Sequence, residues 1–110
     1  MAFKVLFLSH APDADKTQHR SSIDTGMYRL FTVVVGDQAE AMETCEDFYE
    51  REGIDAVLLC PGFTHRDVAE ITRATQGHVA VCVARGDGPS ARISAAAMQR
   101  EGYALVTRDG

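Results

Sequence analysis

The sequence predicts an α/β fold: a small three-layer domain built on a mainly parallel sheet of four or five strands. Three observations carry this. Short apolar runs rich in Val and Leu alternate with longer polar stretches of helical period. Gly53, Gly77 and Gly102 each sit between such a polar stretch and the next apolar run, at a nearly constant spacing of about one βα unit. The apolar runs are continuous, the pattern of strands covered on both faces.

Residues 3–9, centred on Val5-Leu6-Phe7-Leu8, form the first predicted strand, closed by the breaker-rich stretch from Ser9 to Asp15. Residues 29–36, with Val33-Val34-Val35, form the strongest strand and stop at Gly36. Asp37 then caps a helix over 37–52, with Glu40 three residues on as in a capping box. Met42, Cys45, Phe48 and Tyr49 share one helical stripe, with Glu43, Glu46, Asp47 and Glu50 opposite. Gly53 suits the left-handed position that ends the helix. Residues 54–60 form a third strand. Thr64 and Asp67 open a helix over 64–76, whose inner stripe is Val68, Ile71 and Thr75. Residues 79–84 form a fourth strand. Ser90 caps a last helix, with Ile93, Ala97 and Met98 turned inward, and Tyr103 to Val106 reads as a short edge strand. Only 11–28 breaks the rhythm. It is too polar for a clean crossover helix, although Lys16 to Ile23 suits a short one.

At 110 residues the chain makes one domain, with 45% hydrophobic and 25% charged residues. Its net charge of −5, with no Lys/Arg cluster, argues against nucleic acid and anionic membrane as partners. No apolar run is long enough to span a bilayer. Met1-Ala2 leads into a strand with no basic leader region, and Cys45, Cys60 and Cys82 are odd in number and fall within elements. Both features fit a reducing cytoplasm. No C-x-x-C, P-loop or G-x-G-x-x-G is present, and no cofactor is implied.

The segments Val5 to Asp15, His19-Arg20 and Ile23 to Tyr28, together with Leu59-Cys60-Pro61-Gly62-Phe63 and His65, carry a resemblance. With them the chain resembles a family of small bacterial α/β proteins catalogued only as a domain of unknown function. The resemblance implies a small α/β domain and brings no activity, cofactor or catalytic residue. Pro61 departs from the glycine that it implies there.

Ligands of open parallel sheets bind beyond the carboxyl ends of the strands. In this chain that edge is formed by Ser9 to Asp15, Gly36-Asp37, Cys60 to His65 and Arg85 to Ser90. The candidate binding residues are His10, Asp13, Cys60, Gly62, Thr64, His65, Arg66 and Arg85. A helix N-terminus at Thr64 attracts anions, and Arg66 and Arg85 suit a carboxylate or phosphate. His10, Asp13, Asp15 and His19 are of metal-ligand type, but their spacing matches no established metal motif. The plainer reading is Asx turns after Pro12. Cys60 beside His65 has the composition of a nucleophile and base, against the commoner role of free cysteine as a small buried hydrophobe. Cys45 and Cys82 read as core, and His78 as surface. Asp24-Thr25-Gly26 matches the aspartic-protease tripeptide in a chain of the wrong fold class, so a turn with Gly26 at positive φ is expected.

The leading expectation is a small cytoplasmic domain binding a small polar or anionic ligand at the strand ends, as a homodimer or higher homo-oligomer. One alternative is a small enzyme using His10, Cys60 or His65 at the same cleft. The other is a non-catalytic oligomeric or regulatory module.

Overall fold

A computed structural model describes residues 1–86 and 88–103. Five strands form one sheet: β1 (Phe3–His10), β2 (Arg20–Asp24), β3 (Tyr28–Val35), β4 (Ala56–Leu59) and β5 (Ala80–Val83). Three helices accompany them: α1 (Gln38–Glu52), α2 (His65–Ala74) and α3 (Gly88–Arg100). The order across the sheet is β2-β3-β1-β4-β5. Every pairing is parallel except that of β2 with β3. The predicted α/β class and mainly parallel sheet are present.

The helix ends follow local sequence chemistry. Asp37 accepts a hydrogen bond from Glu40 N at 2.9 Å. Glu40 answers not at the cap but one residue earlier, where its Oε1 accepts from Gly36 N at 2.8 Å. At α2 the capping box is complete: Thr64 Oγ1 accepts from Asp67 N, and Asp67 Oδ2 from Thr64 N. Gly53 closes α1 at φ 64°, as its position required.

The core lies on one face of the sheet. From β3 the chain crosses over β1 to β4, and from β4 it moves on in the same direction to β5. Right-handed crossovers that all travel one way deliver their helices to the same side. Accordingly α1 and α2 touch each other and share one core with Leu6, Leu8, Val33, Val35, Val57 and Leu59, all fully buried. Val81 and Val83, on edge strand β5, are only half-buried.

Coverage of the two faces is therefore uneven. Alternate side chains point away from α1 and α2: Phe3, Val5, Phe7 and Ser9 from β1, and Tyr28, Leu30, Thr32 and Val34 from β3. Their neighbours are Ser21 and Ile23 on β2, Ala56 and Leu58 on β4, and Ala80 and Cys82 on β5. Val5 is 7% exposed yet stands outside the core cluster, which confirms that it points the other way. Phe3, Ile23 and Leu58 on this face are 54%, 60% and 39% exposed.

Three expectations are corrected. The polar stretch 11–28 contains a strand, not a short helix over Lys16 to Ile23. Backbone pairing with β3 turns Arg20–Asp24 into the arm of a hairpin, and no local apolar pattern announces it. Helix α3 forms, but Ile93 (75% exposed) and Met98 (36%) are not turned inward, and none of its residues is buried. Cys82 is exposed on β5, because an edge strand next to an open face leaves it uncovered. Of the predicted last strand, only Tyr103 falls within the described residues, and it is not in a strand.

Candidate functional site

Strands β1 and β4 are neighbours, so their carboxyl ends emerge side by side. Leu8 is level with Leu59, and Cys60 N donates to Leu8 O at 3.0 Å. His10 and the turn starting at Cys60 thus begin about 6 Å apart, one strand spacing over and one residue along. On its other side, His10 donates from Nε2 to Gly36 O at 2.7 Å. A carbonyl only accepts, so Nε2 carries a proton and is the donor.

The turn Cys60-Pro61-Gly62-Phe63 is held from below and from the side. Phe63 folds inward and is fully buried in the core, filling the space under the turn. Cys60 is half-buried against the same core. A side chain at Gly62 would place its Cβ 3.7 Å from Cys60 Sγ, an ordinary contact, so that position is not crowded. Arg85, at the end of β5, reaches back and donates from Nη1 to Phe63 O at 3.4 Å. His65 and Arg66 occupy the exposed first turn of α2. Arg66 also lies 3.8 Å from Glu70. His10, Cys60, Gly62, Thr64, His65, Arg66 and Arg85 therefore belong to one edge of the sheet.

Asp13 lies on the loop that leaves β1 after His10. With Pro12 it lines an open recess of about 440 Å³, whose other wall is Glu101, Gly102 and Tyr103. The remaining residues of that loop are engaged locally. Asp15 Oδ1 accepts from Thr17 N and Oγ1, the expected Asx-type turn, and the Thr17 hydroxyl chiefly holds its carboxyl below the usual carboxylate range. His19 Nδ1 accepts from Asp15 N at 2.9 Å. Among the described residues no three His, Cys, Asp or Glu side chains gather as metal ligands do.

No hydrogen bond joins Cys60 to His10 or His65 among the described residues. Cys45 is fully buried in α1, and desolvation pushes its thiol up to about 12. His78 lies at the opposite end of the sheet, exposed, beside the Tyr49 hydroxyl at 2.7 Å. Gly26 takes φ 97°, and its N–H donates to Asp24 Oδ1 at 2.8 Å, the turn expected for the Asp24-Thr25-Gly26 tripeptide.

The two helix N-termini at this edge are dissimilar. That of α1 carries its own carboxylates, Asp37 and Glu40, on the nearby N–H groups. That of α2 has a single carboxylate, Asp67, buried within the capping box. Gln38 ties the two together: Nε2 donates to Asp67 O at 3.2 Å and Glu70 Oε1 at 3.0 Å. Both partners are acceptors, so the amide orientation is fixed, and the buried Oε1 has no partner among the described residues. Sequence reasoning missed Gln38, because its role depends on two helices lying side by side and no local signal carries that.

Residues 3–99 match the family described as "Family of unknown function (DUF6506)", and the chain belongs to it. No curated protein and no solved structure matches the chain.

Proposed function

We propose that this protein binds a small polar or anionic ligand at the carboxyl edge of its sheet, on the turn that opens α2. The observation that carries the reading is the placement of two arginines around that turn. Arg85 is anchored on Phe63 O, Arg66 lies in the first turn of the helix, and His65 precedes it. Thr64 Oγ1 takes the Asp67 N–H, and the rest of the first turn of α2 carries the helix's positive pole, which favours a carboxylate or phosphate. The neighbouring α1 terminus already faces carboxylates of its own, which would repel an anion. Three free thiols suit the cytoplasm as the place of action.

A thermal-shift screen of phosphorylated and carboxylated metabolites tests the reading. A true ligand at 100 times its dissociation constant stabilises by about 2.7 kcal/mol, independently of enzyme activity. Arg85→Ala and Arg66→Ala are expected to abolish that shift while leaving the unliganded melting temperature within about 2 °C, as for surface substitutions. An unchanged shift in both variants, or no stabilisation by any anion tested, would remove the site.

A further inference from the structure

We infer that the face of the sheet opposite α1 and α2 is a self-association surface, on which a second copy of this chain packs with α3 of each copy closing the rim. The inference does not depend on the ligand reading, since this face lies away from the α2 turn.

Charge is the first argument. Every strand side chain on that face is uncharged, from Phe3 on β1 and Ile23 on β2 to Leu58 on β4 and Cys82 on β5. The chain as a whole carries a net charge of −5. Its helical side is acidic, with Glu43, Glu46, Asp47 and Glu50 along α1. Two copies approaching through that side repel each other, while the uncharged face can meet its own image about a two-fold axis without like charges opposing. The same lack of cations removes nucleic acid and anionic bilayers as occupants.

Area is the second argument. Five strands make a face roughly 20 Å across and up to about 25 Å along, on the order of 400 Å² per copy. An apolar patch of that size matches the largest one on a typical monomer, and such patches are often functional. Two such faces alone bury somewhat less than the roughly 1,200 Å² at which specific interfaces begin. Helix α3 supplies the remainder. It is the next element after edge strand β5, none of its residues is buried, and Ile93 and Met98 are exposed. At 13 residues it is about 20 Å long, the width of the face it would border.

Sedimentation velocity on the full chain tests the proposal. The wild type is expected to sediment as a dimer of the 12.0 kDa chain at micromolar concentration. Leu58→Glu is expected to weaken the dimer at least about tenfold, as a charge placed in a desolvated interface does. Leu58 is 39% exposed in the single chain, so a carboxylate there can stay in water in the folded monomer. Ile23→Glu, at 60% exposure, carries the same test should Leu58→Glu fail to fold. A second readout uses the wild type alone. Alkylation of Cys82 by iodoacetamide, followed by peptide mass spectrometry, is expected to slow several-fold as protein concentration rises through the dimer range. A wild type that stays monomeric at high micromolar concentration overturns the proposal. So does a dimer that both folded variants preserve. Cys82 protection that is independent of concentration also overturns it, by assigning the cover to the chain's own segment. A monomer with Cys82 open at every concentration overturns it as well, and leaves the face to a different protein.

Discussion

The two faces of this sheet are made from the same strands and do opposite things. Leu59 and Leu58 are adjacent in β4. The first is fully buried under α1 and α2, the second 39% exposed on the other side. Residue type does not separate these two positions, since both are leucine. Topology does, because successive crossovers in one direction stack both helices on one side. The comparison teaches that a continuous apolar strand specifies two coverings but does not say where the second one comes from.

The sharpest way to break that contrast is to truncate both leucines. Leu59→Ala is expected to cost about 2–5 kcal/mol in chemical denaturation, the range for a core leucine. Leu58→Ala, measured at concentrations low enough to keep the chain monomeric, is expected to cost less than about 1 kcal/mol. Equal costs would mean that the open face is covered within the single chain.

A second test titrates the covered face from inside. Burial raises the Cys45 thiol from 9.0 to about 12, so the folded state holds its proton where the unfolded state has lost it. The stability this contributes is complete below pH 9.0 and is lost as pH rises from there towards 12. The slope reaches at most about 1.4 kcal/mol per pH unit. Urea midpoints collected between those limits should fall more steeply for the wild type than for Cys45→Ala. Parallel curves would show that the thiol titrates freely and that this core is not dry.

Smaller effects lie at the rim. Thr64→Ala removes the acceptor of Asp67 N and strands the other half of the capping box. A loss of about 1 kcal/mol is expected, with faster amide exchange confined to the start of α2. Exchange that spread across the sheet would make the cap part of the core. Smallest of all is the ion pair of Lys16 with Glu43, 2.9 Å apart with side-chain exposures of 24% and 69%. Lys16→Met is expected to change stability by less than about 0.5 kcal/mol, and molar salt should erase even that.

Much of the fold was legible because its signals are local. The caps at Asp37 and Thr64 and the stripe of Met42, Cys45, Phe48 and Tyr49, which lies in or against the core, are all set within one or two helical turns in sequence. Each acts through bonds or contacts only a few residues long. Strand β2 was not legible, since Arg20–Asp24 is exposed throughout and owes its conformation to pairing with β3. Cys82 was misplaced for a related reason: an apolar run looks the same on a central strand and on an edge strand. At the candidate site, the address and residue types were readable from the rule that ligands sit beyond strand ends. That Arg85 would reach Phe63 O, and that Gln38 would span two helices, depends on which strands are neighbours.

The sequence by itself determined the α/β class, the positions of the central strands, the capped starts of α1 and α2, and the net negative charge. These follow from periodicity and short-range hydrogen bonding, which act between residues close in the chain. Only the tertiary structure decided the strand order, the pairing that creates β2, the side-by-side ends of β1 and β4, and which sheet face α1 and α2 leave uncovered. Those are long-range choices. They rest on the direction of each crossover and on which apolar surfaces find partners, and no stretch of sequence a few turns long contains either.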